Sequence, residues 1–208
     1  MKFKRFKLIL ILPFLGSLSP PFLGNVSNIF PACPALAHTS ESRKVEADRL
    51  FYQGIEQFQI NQFRKALHSW QRALTIYRER KDQQGQAGSL GNIGIAYHSL
   101  GDYPKAIDFY KQSLAIARKI DDRQGQANFV NNLGIAYHSL GEYRKAIDFH
   151  QQSLTIARKI DDRQGQANSL NNLGIAYEKL REYRKAIDFH QQSLTIARKI
   201  ENHRGEAV

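Results

Sequence analysis

Residues 131–160 read NNLGIAYHSLGEYRKAIDFHQQSLTIARKI, and residues 171–200 read NNLGIAYEKLREYRKAIDFHQQSLTIARKI. The phrase returns forty positions later with three changes, His138 to Glu178, Ser139 to Lys179 and Gly141 to Arg181. Extended to the full period, residues 121–160 and 161–200 differ only there and at Phe129/Ser169 and Val130/Leu170. Gly54, Gly94, Gly134 and Gly174 fall in register, as do Ala66, Ala106, Ala146 and Ala186. A fixed period of this length marks a solenoid, in which each unit buries its apolar face only by stacking on its neighbours. The register divides the chain into units at 46–80, 81–120, 121–160 and 161–200, preceded by a linker over 38–45. Residues 201–208, ENHRGEAV, align with DDRQGQAN and are expected to begin an incomplete fifth unit.

Each unit holds two helical patterns. In the third, Val130, Leu133, Gly134, Tyr137 and Leu140 share one face of a first helix, and Tyr143, Ala146, Ile147, His150, Leu154 and Ala157 share one face of a second. Gly141 and Glu142 supply the turn between them, the glycine stopping one helix and the acid favouring the start of the next. At the other joint, Arg158 and Lys159 sit in a last turn. Asp161 and Asp162 are expected to cap the next start, with Gln164 completing a capping box with Asp161. Gly134 and Ala146 are small where two helices cross, which offsets the roughly 1 kcal/mol that a mid-helix glycine costs.

Leu170, Leu173, Gly174, Tyr177, Tyr183 and Ala186 reproduce the spacing Leu-x2-Leu-Gly-x2-Tyr followed by Tyr and Ala, which resembles the tetratricopeptide repeat (TPR) motif. The resemblance covers about residues 46–208. The unit departs from the 34-residue form: Ser113, Ser153 and Ser193 replace its second Ala, Arg118, Arg158 and Arg198 replace its Pro, and six residues are added. It is similar in this to the subclass of the spindle adaptor LGN and kinesin light chain. The resemblance implies an all-α, right-handed superhelical solenoid of helical hairpins, with first helices lining a concave groove and second helices forming the back.

The N-terminus is of a different kind. MKFKRFK is basic, residues 8–18 (LILILPFLGSL) are apolar, and Ala35-Leu36-Ala37 ends a Pro-rich stretch, the order of an export signal cleaved near Ala37. An uncleaved membrane anchor is the alternative, although Pro13, Gly16, Pro20 and Pro21 interrupt the run of about 20 apolar residues that a spanning helix needs. Membrane contact is thus expected only through the signal. The single cysteine, Cys33, lies inside this segment, and Phe30-Pro31-Ala32 fits a lipoprotein signal only at Ala32. No disulfide framework is expected in the array.

The net charge of +11 falls to +7 once Lys2, Lys4, Arg5 and Lys7 leave with the signal. Arg144 and Lys145 precede Asp148, and Arg184 and Lys185 precede Asp188, at spacings that pair charges along a helix. Dispersed, paired charge disfavours nucleic acid as a partner, which requires basic residues clustered on one face.

The candidate site is a row of amides. Asn128 and Asn132, and Asn168 and Asn172, are spaced to share a helical face, and Asn92 extends the row into the second unit. An amide both donates and accepts, so a ladder of them suits the backbone of an extended peptide; the alternative is that they hold adjacent first helices in register. Asn131 and Asn171 point elsewhere. His98 and His138 are candidates for the same face. His150 and His190 stand where Trp70 and Tyr110 stand and are expected in the interior. Equivalent histidines in stacked helices lie about 10 Å apart, too far to share a metal bound at about 2 Å, so neither metal nor cofactor is expected. The paired acids and the Gly85, Gly125 and Gly165 series repeat with the joint and supply no catalytic constellation or phosphate loop, so the chain is not expected to be an enzyme.

The expectation is an exported scaffold that binds a protein or an extended peptide segment through its asparagine groove. Two alternatives stand beside it: the sensing arm of a CHAT-type, caspase-like peptidase of the kind similar bacterial arrays precede, and self-association through an uncapped last hairpin.

Overall fold

The computed structural model describes residues 40–205. The expected export signal at 1–37, Cys33, and the last three residues of the chain lie outside that range. Within it are eight helices: α1 (Ser40–Gln59), α2 (Phe63–Glu79), α3 (Gln83–Ser99), α4 (Tyr103–Lys119), α5 (Arg123–Ser139), α6 (Tyr143–Lys159), α7 (Arg163–Lys179) and α8 (Tyr183–Gly205). The forty-residue period resolves into two 17-residue helices and two three-residue joints. Consecutive helices pack as hairpins throughout. The odd-numbered helices of neighbouring hairpins also touch, α1 with α3, α3 with α5 and α5 with α7, whereas no two even-numbered helices do. That difference makes the odd helices the inner side of the array.

Both joints end a helix in the same way. Asp161 N–H bonds Arg158 O at 3.3 Å and Asp162 N–H bonds Ala157 O at 2.9 Å, with Asp161 in the left-handed region at φ 55°. This is a Schellman stop, and Asp tolerates the conformation better than most residues. Asp162 alone is the N-cap, its carboxylate accepting from Gly165 N–H at 2.9 Å. The expected pairing of Asp161 with Gln164 in a capping box is therefore corrected. The acids divide between ending one helix and starting the next, the N3 residue is a glycine with no side chain to reach back, and Gln164 donates instead to Asn168 at 3.0 Å. At the hairpin turns, Gly101 and Gly141 take the left-handed position at φ 81° and 78°, and in the fourth unit Arg181 is forced into it at φ 60°.

The mid-helix glycines make room for one side chain each. A Cβ on Gly54 would lie 2.4 Å from the Trp70 ring, on Gly94 2.6 Å from Tyr110, and on Gly134 2.5 Å from His150. The aromatic or imidazole ring of the second helix thus lies flat on the glycine of the first, which is more specific than the expected small-residue crossing. His150, as expected of an interior residue, is buried. The serines that replace the TPR alanine add a bond inside the same hairpin: Ser153 Oγ donates to Ala127 O at 3.0 Å and Ser193 Oγ to Ala167 O at 2.8 Å. Between units, Gln126 and Gln166 donate to Ala117 O and Ala157 O at 3.3 and 3.4 Å, satisfying last-turn carbonyls of the preceding helix.

The ends differ. α8 continues as helix to Gly205 across positions where earlier units turn. Ile187 and Leu194 of α8 are 55% and 49% exposed, against 7% and 6% for their equivalents Ile147 and Leu154, which lie beneath α7.

Candidate interaction face

The accessible face of α5 is a stripe of Gln124, Asn128, Asn132, Ile135 and Ser139, with Asn131 and His138 at its border, all exposed or half-buried. Spacings of three and four residues place them in line, on the side where odd helices meet. The stripe recurs on α3 as Gln84, Gly88, Asn92, Ile95 and Ser99, and on α7 as Gln164, Asn168, Asn172, Ile175 and Lys179. α3 contains no charged residue and α5 only Arg123 at its first position. Most of the array's cations are on the even helices, and Lys145 and Lys185 pair back to Glu142 and Glu182 rather than forward to Asp148 and Asp188. The backward partner wins because it begins the same helix and lies beside the Tyr ring over which the Lys sits, Lys145 Nζ being 5.4 Å from the Tyr137 centroid. Tyr137 in turn stacks on Phe149 at 5.2 Å.

The asparagines fall into three groups. Asn92 and Asn132, one unit apart, are half-buried and have no hydrogen-bond partner among the described residues. Asn172 donates to Asn131 Oδ1 at 3.0 Å, across the α5–α7 contact, so at that position the register role applies. Asn128 and Asn168 are exposed and accept from Gln124 and Gln164 on their own helices, at 3.4 and 3.0 Å. Asn131 and Asn171 do point elsewhere, toward His150 and His190: the Nδ1 atoms of these rings lie 3.1 and 3.2 Å from the amide oxygens.

His98 and His138 border the stripe. Ser139 Oγ donates to Ile135 O at 3.1 Å, so His98 Nε2, 3.0 Å away, donates to Ser139. One unit on, the residue equivalent to Ser139 is Lys179, which cannot accept, and His138 Nε2 is buried without a partner. Burial lowers the pKa of both histidines, and Lys179 lowers that of His138 further. Glu178, in the place of these histidines, faces His190 at 3.4 Å. Among the described residues no three acids, histidines or cysteines come together as a metal site would require.

Two rows escaped the sequence reading. Gln84 and Gln124 reach the N-cap acids of the next unit, Asp122 and Asp162, at 3.4 and 2.8 Å, and so tie successive first helices. Ile95, Ile135 and Ile175 place an apolar side chain beside each row asparagine. Their signal was present in the same forty-residue period, three residues after each Asn, but an isoleucine in a helix reads first as core.

A tetratricopeptide repeat family model matches residues 54–119 and 125–199. The chain belongs to the tetratricopeptide repeat family. Among solved structures it is similar to BtubC (BKLC) from P. vanneervenii, with a TM-score of 0.69 at 20% identity over 76% of this chain and 66% of that one. A Rap protein complexed with competence and sporulation factor gives a TM-score of 0.73 at 21% identity over 78% of this chain and 46% of that one. The TPR domain of Arabidopsis FLU gives 0.54 at 20% identity over 56% of this chain and 98% of that one. At these identities the likeness is one of fold, that of a TPR-type helical solenoid, a scaffold typical of protein–protein interaction. The chain spans less than two thirds of the length of the first two. No curated protein matches the sequence.

Proposed function

We propose that this chain is an exported, non-catalytic scaffold whose amide-lined inner face holds an extended segment of a partner protein. The observation that carries the reading is the pair Asn92 and Asn132: half-buried, one unit apart on the inner stripe, and bonded to nothing in the described array. An amide held at a surface with donors and acceptor free presents both to a peptide backbone. Export rests on the order of basic start, apolar run and Ala-Leu-Ala at the N-terminus. The test is recovery of a partner from the export compartment of the native host by the wild-type chain and by an Asn92→Ala/Asn132→Ala variant. A partner held by the first and lost by the second, at unchanged helical content, supports the reading; equal recovery sinks it.

A second reading is favoured by the exposure of Ile187 and Leu194 on α8: association through the last hairpin. The opposite end does not offer a matching surface, because α1 carries Glu46, Arg49, Gln53 and Glu56 where α7 has Gln166, Ser169, Leu173 and Ala176. Association would join like ends. Light scattering of an Ile187→Lys/Leu194→Lys variant against wild type decides it, and a wild type that stays monomeric at high concentration removes it.

A further inference from the structure

We propose that the peptide taken by the inner face is a polyproline II segment with an apolar residue at every third position. The proposal rests on the peptide-binding reading above and adds the conformation and chemistry of the occupant.

The spacing of the rows carries it. Cα atoms of neighbouring odd helices come within 8 Å, and helices in such contact have axes about 8–10 Å apart. A chain lying across them meets one asparagine and one isoleucine per unit. In polyproline II, three residues rising about 3.1 Å each bring the same face round every 9.3 Å or so. In a β-strand the same face returns after about 6.6 Å, and in an α-helix one turn advances about 5.4 Å. Only the first repeats its carbonyls and side chains at the spacing of the units.

The chemistry of the rows agrees. Polyproline II makes no internal hydrogen bonds, so its backbone needs partners wherever water is displaced. Asn92 and Asn132 have theirs free. Ile95, Ile135 and Ile175 lie three residues further along each helix and supply an apolar contact at the same interval. At the head of the asparagine row the equivalent residue is Tyr52, 64% exposed and set edge-on against Phe51 with ring centroids 5.8 Å apart. Beside it Gly88 leaves a depression lined by Lys44, Asp48, Phe51, Tyr52 and Gln84. An exposed aromatic ring such as Tyr52 beside a shallow depression is what prolyl rings pack against. With no charged side chain on α3 and one on α5, the middle of the face offers little charge, and Lys179 and the Lys44–Asp48 pair stand at its two ends.

The test uses the full-length chain and two blocked, uncharged peptides of about nine residues, one repeating Leu-Pro-Pro and one alternating Leu and Gln without proline. Fluorescence anisotropy is expected to show the proline peptide binding at least about tenfold tighter. Its affinity is expected to hold within about twofold between roughly 0.05 and 0.5 M salt. The Asn92→Ala/Asn132→Ala variant is expected to weaken it about tenfold at unchanged melting temperature. An alternating peptide that binds as well or better overturns the polyproline II assignment while leaving a peptide face in place. If neither peptide binds, the peptide-binding reading itself fails. An Asn92→Ala/Asn132→Ala variant that binds the proline peptide as tightly as wild type would place the peptide off this face and overturn the proposal.

Discussion

Asn131 accepts from two sides at once, from the ring of His150 at 3.1 Å within its own hairpin and from Asn172 at 3.0 Å in the next. Its equivalent one unit earlier is Gly91, against which the Phe129 ring packs. The same helical position is a tie between units in one place and a packing hollow in the other. Asn132 is free because its counterpart across the contact has no side chain.

Asn131→Ala leaves the His150 Nδ1–H and one Asn172 N–H without an acceptor, and is expected to lower unfolding free energy by about 1–3 kcal/mol. Asn132→Ala removes no internal bond and is expected to change it by less than about 0.5 kcal/mol. Urea denaturation of the two variants side by side checks the contrast. Equal effects would mean that the tie through Asn131 has no weight.

Gly134→Leu drives a side chain into the His150 ring and is expected to destabilise the array by about 1–3 kcal/mol. The equivalent change at Gly174 is expected to cost less, because His190 is partly exposed and has somewhere to move. Unaltered melting of the Gly134 variant would remove the account of the ring on the glycine.

Arg181 holds a left-handed conformation that Gly101 and Gly141 hold in the earlier units. Arg181→Gly is expected to raise stability by about 1 kcal/mol. The change shows as a higher denaturation midpoint at an unchanged slope.

Burial, with a smaller contribution from His138 nearby, lowers the His150 pKa to about 4 from an ordinary 6.5. Between those values the unfolded chain binds a proton that the folded chain refuses. Stability is therefore full above about pH 6.5 and declines as the pH falls toward 4, by up to about 1.4 kcal/mol per pH unit. His98 and His138, lowered in the same direction, add to it. Denaturation midpoints at neutral and mildly acid pH measure the decline, and His150→Tyr, which copies Tyr110, is expected to make it shallower.

The forty-residue period, the two helices per unit and the glycine at the second and third hairpin turns were all legible in the chain. So was the inward place of His150, because it occupies the register of Trp70 and Tyr110. These features depend on neighbours close in sequence, or on comparing one unit with the next. They determine a TPR-type array before any contact is seen.

Tertiary structure decided the finer assignments, for reasons of reach and competition. Asp162 caps and Asp161 does not, because a Schellman stop uses the first acid to end the previous helix. Lys145 turns back to Glu142, where its ammonium also lies over the Tyr137 ring. Whether an asparagine on the inner stripe is free or tied depends on a residue about forty positions away on the facing helix: Asn131 for Asn172, Gly91 for Asn132. Two units almost identical in sequence thus differ at the surface they present, since some of their side chains take partners from neighbouring units and those neighbours differ.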